Sequence, residues 1–167
     1  FLENGDLFNN LGARNINPFY SRIIGSKSDI QFGFKLSGKI SNKFRLGLLN
    51  VQTESTEAIN GQNYTVAVGR RNITKSITAT GYLINRQELK KQEIANNYNR
   101  VFGVNLNYIS KNNAWLGQLN FTKSITEENT KNNNFFHATL SYSTRNWSGT
   151  TNTSIVNKNY ITDVGFQ

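Results

Sequence analysis

Between Ile30 and Thr53 the chain reads IQFGFKLSGKISNKFRLGLLNVQT, a stretch that constrains the fold more than any other. Ile30, Phe32, Phe34, Leu36 and Ile40 fall on one side of a two-residue period, with Gln31, Gly33, Lys35, Ser37 and Lys39 on the other. A period of two marks a β-strand with one apolar and one polar face. Ser41-Asn42-Lys43 turns the chain, and Phe44, Leu46 and Leu48 resume the apolar side, opposed by Arg45 and Gly47. The spacing predicts a hairpin whose arms, at about ten residues each, can cross a bilayer at a tilt. Leu48-Leu49 breaks the alternation, and a β-bulge there would change the phase beyond it.

The same unit recurs down the chain. Tyr64, Val66 and Val68 alternate with Thr65, Ala67 and Gly69. Residues 76–86 have the Thr, Ile and Tyr content of a strand, although Ile77/Leu83 and Tyr82/Ile84 compete for its apolar side. Phe102, Val104, Leu106 and Tyr108 oppose Val101, Gly103, Asn105 and Asn107; Trp115, Gly117, Leu119 and Phe121 oppose Leu116, Gln118, Asn120 and Thr122. Phe136, Ala138, Leu140 and Tyr142 oppose His137, Thr139, Ser141 and Ser143, and 147–156 returns after Arg145-Asn146. Long polar stretches at 54–63, 87–99 and 124–134 alternate with short connections at 41–43, 70–75, 111–113 and 145–146. The second long stretch contains ELKKQEIANN, which has the composition for a helical turn but too few apolar residues for a packed helix.

Short turns at one end and long loops at the other are the pattern of an outer-membrane barrel. The expected fold is therefore all-β: an antiparallel up-and-down transmembrane β-barrel, of which this chain is a fragment. Residues 30–167 supply its hairpins, with a last strand at Tyr160–Phe166. Residues 1–29 form a lead-in, with a candidate first strand near Ile16–Ile24 that Pro18 can enter at its start or edge. No run of the 167 residues approaches the ~18 apolar positions of a membrane helix, so any span is made of strands. The aromatics agree with this. Phe44, Tyr108, Trp115, Tyr142 and Trp147 flank the short turns, and Tyr64, Phe102 and Phe136 flank the long loops, as interfacial girdles would. The same rings would also suit the core of a soluble sandwich.

The net charge of +9 comes from 19 basic and 10 acidic residues. Most of the bases are scattered, and none cluster with aromatics as a nucleic-acid groove requires, so nucleic acid is not an expected partner. Counting alternate residues places Lys35, Lys39, Arg45 and Arg71 on inward faces, with Arg86 and Arg100 near the long-loop rim. Such a basic lumen would select anionic solutes or acidic sugars; the plainer reading is that these side chains snorkel to headgroups or pair with loop acids.

Signals for catalysis are few. Without cysteine there are no disulfides or thiolate sites. His137 is the single histidine, on the polar side of its strand beside Thr139 and Ser141, and no further His or Cys could complete a zinc site with it. Glu127-Glu128 are neighbours in a polar loop, whereas paired glycosidase acids must face each other across a substrate. No phosphate-cradling loop or nucleophile elbow occurs, so neither catalytic residues, nor a cofactor, nor a metal site is expected.

Several phrases carry a resemblance: Phe1-Leu-Glu-Asn, Pro18-Phe-Tyr-Ser-Arg-Ile-Ile-Gly25, Lys35-Leu-Ser-Gly-Lys39, Gly47-Leu-Leu-Asn-Val-Gln-Thr53 and Asp163-Val-Gly-Phe166. Together they resemble the outer-membrane β-barrel region of an uncharacterised Bacteroidetes protein family whose members carry an N-terminal domain similar to a family 9 carbohydrate-binding module. The resemblance implies a sandwich domain before residue 1 and further strands after residue 167, but no catalytic residues. Residues and resemblance together suggest part of a bacterial outer-membrane barrel engaged in solute passage or surface glycan handling. Its expected partners are outer-membrane lipid and lipopolysaccharide, an anionic solute or glycan, and other outer-membrane subunits. A secreted β-sandwich adhesin or carbohydrate-binding module is the alternative, and an outer-membrane hydrolase a third.

Overall fold

The structure, a computed structural model, describes residues 5–9, 11–13, 15–57, 59–89 and 97–166. Each alternating stretch from Ile30 onward is a strand. They are β1 (Ile30–Ser41), β2 (Phe44–Thr53), β3 (Gln62–Asn72), β4 (Ile77–Glu88), β5 (Tyr98–Ile109), β6 (Trp115–Thr126), β7 (Asn134–Ser143) and β8 (Ser148–Val156). All eight pair antiparallel with their sequence neighbours in one up-and-down sheet of order β1-β2-β3-β4-β5-β6-β7-β8. Short connections therefore gather at one end of the sheet and long ones at the other. The sheet is open: among the described residues, no strand pairs with the outer edge of β1 or of β8. Residues 90–96, most of the ELKKQEIANN stretch, lie outside the described residues.

The turns follow their sequences. Thr144 N–H donates to Trp147 O across Arg145-Asn146, a tight hairpin closure. In the β5–β6 connection Asn113 takes a positive φ of 56°, a conformation asparagine tolerates better than most residues.

Neither expected terminal strand forms. Within 16–24 there is a short 3₁₀ turn, Ser21–Ile23, and within 160–166 only an isolated bridge, Asn17 to Phe166. Both segments instead lie across one face of the sheet. Tyr160, Thr162 and Val164 are buried while Ile161 and Phe166 are exposed. That two-residue rhythm comes from one side of a segment that turns at Asp163-Val164 and presses on the sheet, not from a hydrogen-bonded ladder. The segments are tied to each other by backbone bonds from Asn17 N to Phe166 O (3.0 Å), from Phe166 N to Asn17 O (2.9 Å) and from Tyr20 N to Val164 O (2.6 Å).

This arrangement defines a covered face and a bare face. Leu7, Phe8, Leu11 and Phe19 of the N-terminal segment bury themselves with Tyr64, Val66, Val68, Tyr82, Ile84 and Val101 of β3–β5 and with Val164. Each such side chain removed from water contributes about 1.5–3 kcal/mol, enough to hold a segment that has almost no ladder of its own. Gly47 makes the packing possible. A Cβ there would stand 2.7 Å from Phe8 Cζ, so any other residue would push the ring off β2. Gly103 likewise leaves room for the Tyr82 ring, which a Cβ would meet at 2.1 Å.

The β2–β3 register runs unbroken from Phe44↔Arg71 to Gln52↔Asn63, so no bulge occurs at Leu48-Leu49. The backbone keeps its phase and the apolar residues change sides: Leu46 and Leu48 belong to the bare face, and Val51 joins the covered one opposite Tyr64. In β4 both competing pairs are satisfied at once, with Tyr82 and Ile84 buried under the terminal segments and Ile77 exposed on the bare side with Leu83.

Candidate functional site

Two ion clusters anchor the terminal segments to the covered face, while the bare face carries smaller polar contacts toward its long-loop end, Asn50 with Asn63 and Thr65, and Arg100 with Asn85. Near the short turns, Asp6 accepts two hydrogen bonds from Arg45, at 2.7 and 3.0 Å. Arg70 reaches Asp6 Oδ2 at 3.2 Å and donates to its backbone oxygen at 3.0 Å. The Arg45 guanidinium holds the Asp6 carboxyl below its ordinary pKa, although burial works the other way. Near the long loops, Arg86 Nε lies 2.9 Å from Asp163 Oδ2, a charge contact out of line for a hydrogen bond. The same guanidinium donates to Gln62 Oε1 at 2.9 Å and to Asn97 Oδ1.

Between the clusters runs a buried polar seam. The Tyr82 and Thr122 hydroxyls share a 2.7 Å hydrogen bond, Thr122 donates to Asn120 Oδ1 at 3.0 Å, and Asn120 Nδ2 donates to Leu11 O at 2.9 Å. Asn99 Nδ2 donates to Ile161 O at 3.0 Å in the same way. These asparagines sit where a strand would ordinarily place an apolar core residue. They are buried at acceptable cost because each supplies a hydrogen bond to terminal backbone that has no ladder partner. The Tyr160 hydroxyl is buried with no hydrogen-bond partner among the described residues, and burial pushes its pKa up.

Two clefts flank the seam. One of about 740 Å³ opens at the long-loop end, where Lys27, Glu57, Glu88, Arg86 and Asp163 meet Tyr64. The other, about 860 Å³, opens at the short-turn end between the N-terminal segment and β3–β6, and its lining is dominated by asparagine, glutamine and threonine. Along β7 and β8 the covered face is polar and exposes hydroxyls. There His137 lies between Ser154 Oγ (2.8 Å from Nδ1) and Thr139 Oγ1 (2.8 Å from Nε2). Among the described residues no carboxylate hydrogen-bonds to that ring, so the Ser–His contact there lacks the third group that would orient a base. Glu127 and Glu128 are both exposed in their loop. Among the described residues no group of three His, Asp or Glu side chains could hold a metal ion.

The basic residues picked out by counting divide between the faces. Register puts Lys35, Lys39 and Arg45 on the covered side, where Lys35 Nζ stands 5.5 Å over the Phe8 ring and Arg45 grips Asp6. Arg71 is on the bare side, paired with Phe44, and its neighbour Arg70 takes the inward place opposite Arg45. The counting failed because it took Val66 and Val68 as outward, whereas the N-terminal segment covers them. Tyr64 is corrected for the same reason: it is buried on the covered face and belongs to no girdle.

The other aromatics lie toward the two ends of the strands, outside the covered face. Phe44, Phe102, Tyr108, Trp115, Phe136 and Tyr142 are on the bare face by register, and Trp147 in the last turn is 77% exposed. Trp115 and Tyr142 touch, with ring centroids 4.7 Å apart. Tyr98, which sequence reasoning passed over because it closes a polar stretch, joins them at the long-loop end with Arg100 stacked 4.6 Å above its ring. Between the two rims the bare face presents Phe34, Leu36, Val104, Leu106, Leu119, Phe121 and Leu140, each between 39% and 63% exposed.

Fold and site together define an all-β protein with an eight-stranded antiparallel up-and-down sheet, apolar on its bare face and lined on the other by terminal segments and polar clefts. Comparison with protein families, with curated proteins and with solved structures found no match to this chain.

Proposed function

We propose that this chain is a section of the wall of a bacterial outer-membrane β-barrel, with the bare face toward lipid and the covered face toward the lumen. In this reading the terminal segments form a partial plug, and the assembled protein passes or handles polar solutes, glycans among them. One observation carries the reading: along the middle of β5 and β6 the exposed residues are Phe102, Val104, Leu106, Leu119 and Phe121, with the exposed charges Arg100 and Lys123 only toward the long-loop end, while the buried residues include Asn99, Asn105, Asn120, Thr122 and Ser124. A soluble sheet with one wet face would show the opposite assignment. An apolar surface this continuous is a place for lipid or for another protein. Its groove beside Gly117, lined by Leu106, Leu119 and Leu140, has the apolar character of an acyl-chain contact.

The open edges support the same reading. The outer edge of β8, SGTTNTSIV, carries neither charge nor proline, the usual protections of a free edge. In a barrel that edge is paired, which also satisfies its backbone groups in lipid. Fractionation of cells producing the full chain tests the proposal. It predicts sedimentation with the outer membrane, resistance to high-salt and carbonate washes, and release by detergent. A protein recovered in aqueous buffer without detergent would favour the secreted sandwich instead.

A further inference from the structure

The two clefts of the covered face differ in chemistry, and the difference points to a ligand. At the long-loop end two cations face three carboxylates. At the short-turn end, among the described residues, the one carboxylate, Asp6, holds two guanidiniums, Arg45 and Arg70, and the cleft is lined by no charged side chain besides Asp6 and Arg70. What remains to face a ligand there is amide and hydroxyl. Asn72, Asn107 and Gln118 come from β3, β5 and β6, and Asn9 and Asn17 from the N-terminal segment, with the buried Asn105 beneath Gln118. From this we propose that the short-turn cleft binds a short neutral oligosaccharide.

An amide presents a donor and an acceptor side by side, as a sugar hydroxyl does, so facing amides can satisfy a polyol without stripping water from a charge. Among the described residues, an anionic ligand would have to compete with Asp6 for Arg45 and Arg70, and a cationic one would have to draw Asp6 away from both. The floor is fixed in advance. Gln118 Nε2 is held near Asn105 Oδ1 (3.3 Å) and Gly12 O (3.4 Å), with the Asn120–Thr122–Tyr82 seam buried behind it. Such preorganisation spares a ligand the cost of ordering its own site. In contrast, the Asn9 and Asn107 side chains make no hydrogen bond to a described residue, which leaves their full capacity to a ligand. Phe166 stands at the margin, 43% exposed, as an apolar ring for the C–H face of a pyranose. A volume of about 860 Å³ is ample for several sugar units.

The proposal rests on the reading that the covered face handles solutes, and it names their class. The full chain, purified in a zwitterionic detergent whose head group cannot compete as a sugar would, is titrated by calorimetry. The probes are maltotriose, cellotriose, mannotriose and chitotriose, with trigalacturonate as the acidic counterpart. At least one neutral trisaccharide should bind saturably, with affinity unchanged between low and 0.5 M salt (about a 4 Å Debye length). Asn107→Ala and Phe166→Ala should each weaken it roughly tenfold, about one hydrogen bond or one ring contact. Glu57→Gln in the other cleft should leave it unchanged. Asn107 and Phe166 are partly exposed, and far-UV circular dichroism verifies that the variants fold.

The inference is overturned if no neutral trisaccharide saturates, if trigalacturonate binds more tightly than all of them, or if neither substitution weakens binding. Absence of binding by protein that still requires detergent removes the oligosaccharide site alone. Binding by protein that needs no detergent supports the site and removes the membrane wall.

Discussion

Along β5, Val101, Gly103 and Asn105 are buried while Phe102, Val104 and Leu106 stand exposed, and β6 repeats the contrast with Asn120 and Thr122 against Leu119 and Phe121. From Gly103 on β5 and across β6 the two faces thus reverse the usual relation between polarity and burial, whereas on β3 and β4 the covered face is apolar, with Val66, Val68 and Ile84 in the core. The covered face is organised by specific contacts: a ring against a glycine, two ion clusters, a seam of asparagines. The bare face has few such contacts and much apolar area. A packed interior needs complementarity atom by atom, whereas a surface meeting lipid needs only to be apolar. Burial on this sheet follows where the terminal segments lie, over valines and isoleucine on β3 and β4 and over asparagine and threonine on β6.

The contrast breaks first if both faces prove to be packed cores. Phe8→Ala should remove about 3–5 kcal/mol, because it empties a site closed by Gly47 and Phe19, as a lowered midpoint of urea unfolding in micelles would show. Phe34→Ala on the bare face, 58% exposed, should lower the midpoint far less. Equal losses would mean that an unseen protein layer packs on the bare face.

Charge is the next probe. In a bilayer, Leu106→Arg or Leu119→Arg should cost about 2–4 kcal/mol if these residues sit near the lipid midplane. Ser141→Arg on the other face should be nearly silent in the same refolding assay. Similar costs at all three positions would remove the distinction between the faces.

Much of this architecture was legible in the sequence, and the parts that were not share a cause. The eight strands and their order could be read because alternation and polar breaks are local signals. The phase of β3 and the fate of 16–24 and 160–166 could not. Leu46 and Leu48 on one side, and Leu49 and Val51 on the other, make both faces of β2 apolar. Which face is covered depends on Leu7, Phe8 and Leu11, residues distant in the chain. Arg70-Arg71 shows the consequence: adjacent identical charges carry opposite duties, and only the register with Arg45 tells them apart. The Asn120–Leu11 bond, between residues 109 positions apart, had no signal in the sequence beyond asparagine within a strand.

A smaller effect sharpens the covered face alone. Since Arg45 lowers the pKa of Asp6 in the folded protein, their contact contributes stability above the unfolded carboxyl pKa, ordinarily 3.8. That contribution is lost as pH falls through the lowered folded value. Asp6 is about half exposed, so solvent screens the pair and the loss is modest. Proteolysis within 5–13 should therefore become easier as the pH is lowered from above 3.8 to below the depressed Asp6 value, and Asp6→Asn should cleave readily on both sides of that range. Acid-independent protection in the parent would show that apolar packing alone holds the segment.

The central claim is that alternate residues of one strand face lipid and a polar interior, and a spin-label scan of β5 from Val101 to Tyr108 in reconstituted bilayers tests it most directly. Labels at Phe102, Val104, Leu106 and Tyr108 should be relaxed strongly by oxygen, which concentrates in lipid, and weakly by a water-soluble nickel chelate. Labels at Val101, Gly103, Asn105 and Asn107 should lose the oxygen response, giving a two-residue oscillation along the strand. Oxygen and nickel responses that do not alternate, or that alternate in the opposite phase, would contradict the account.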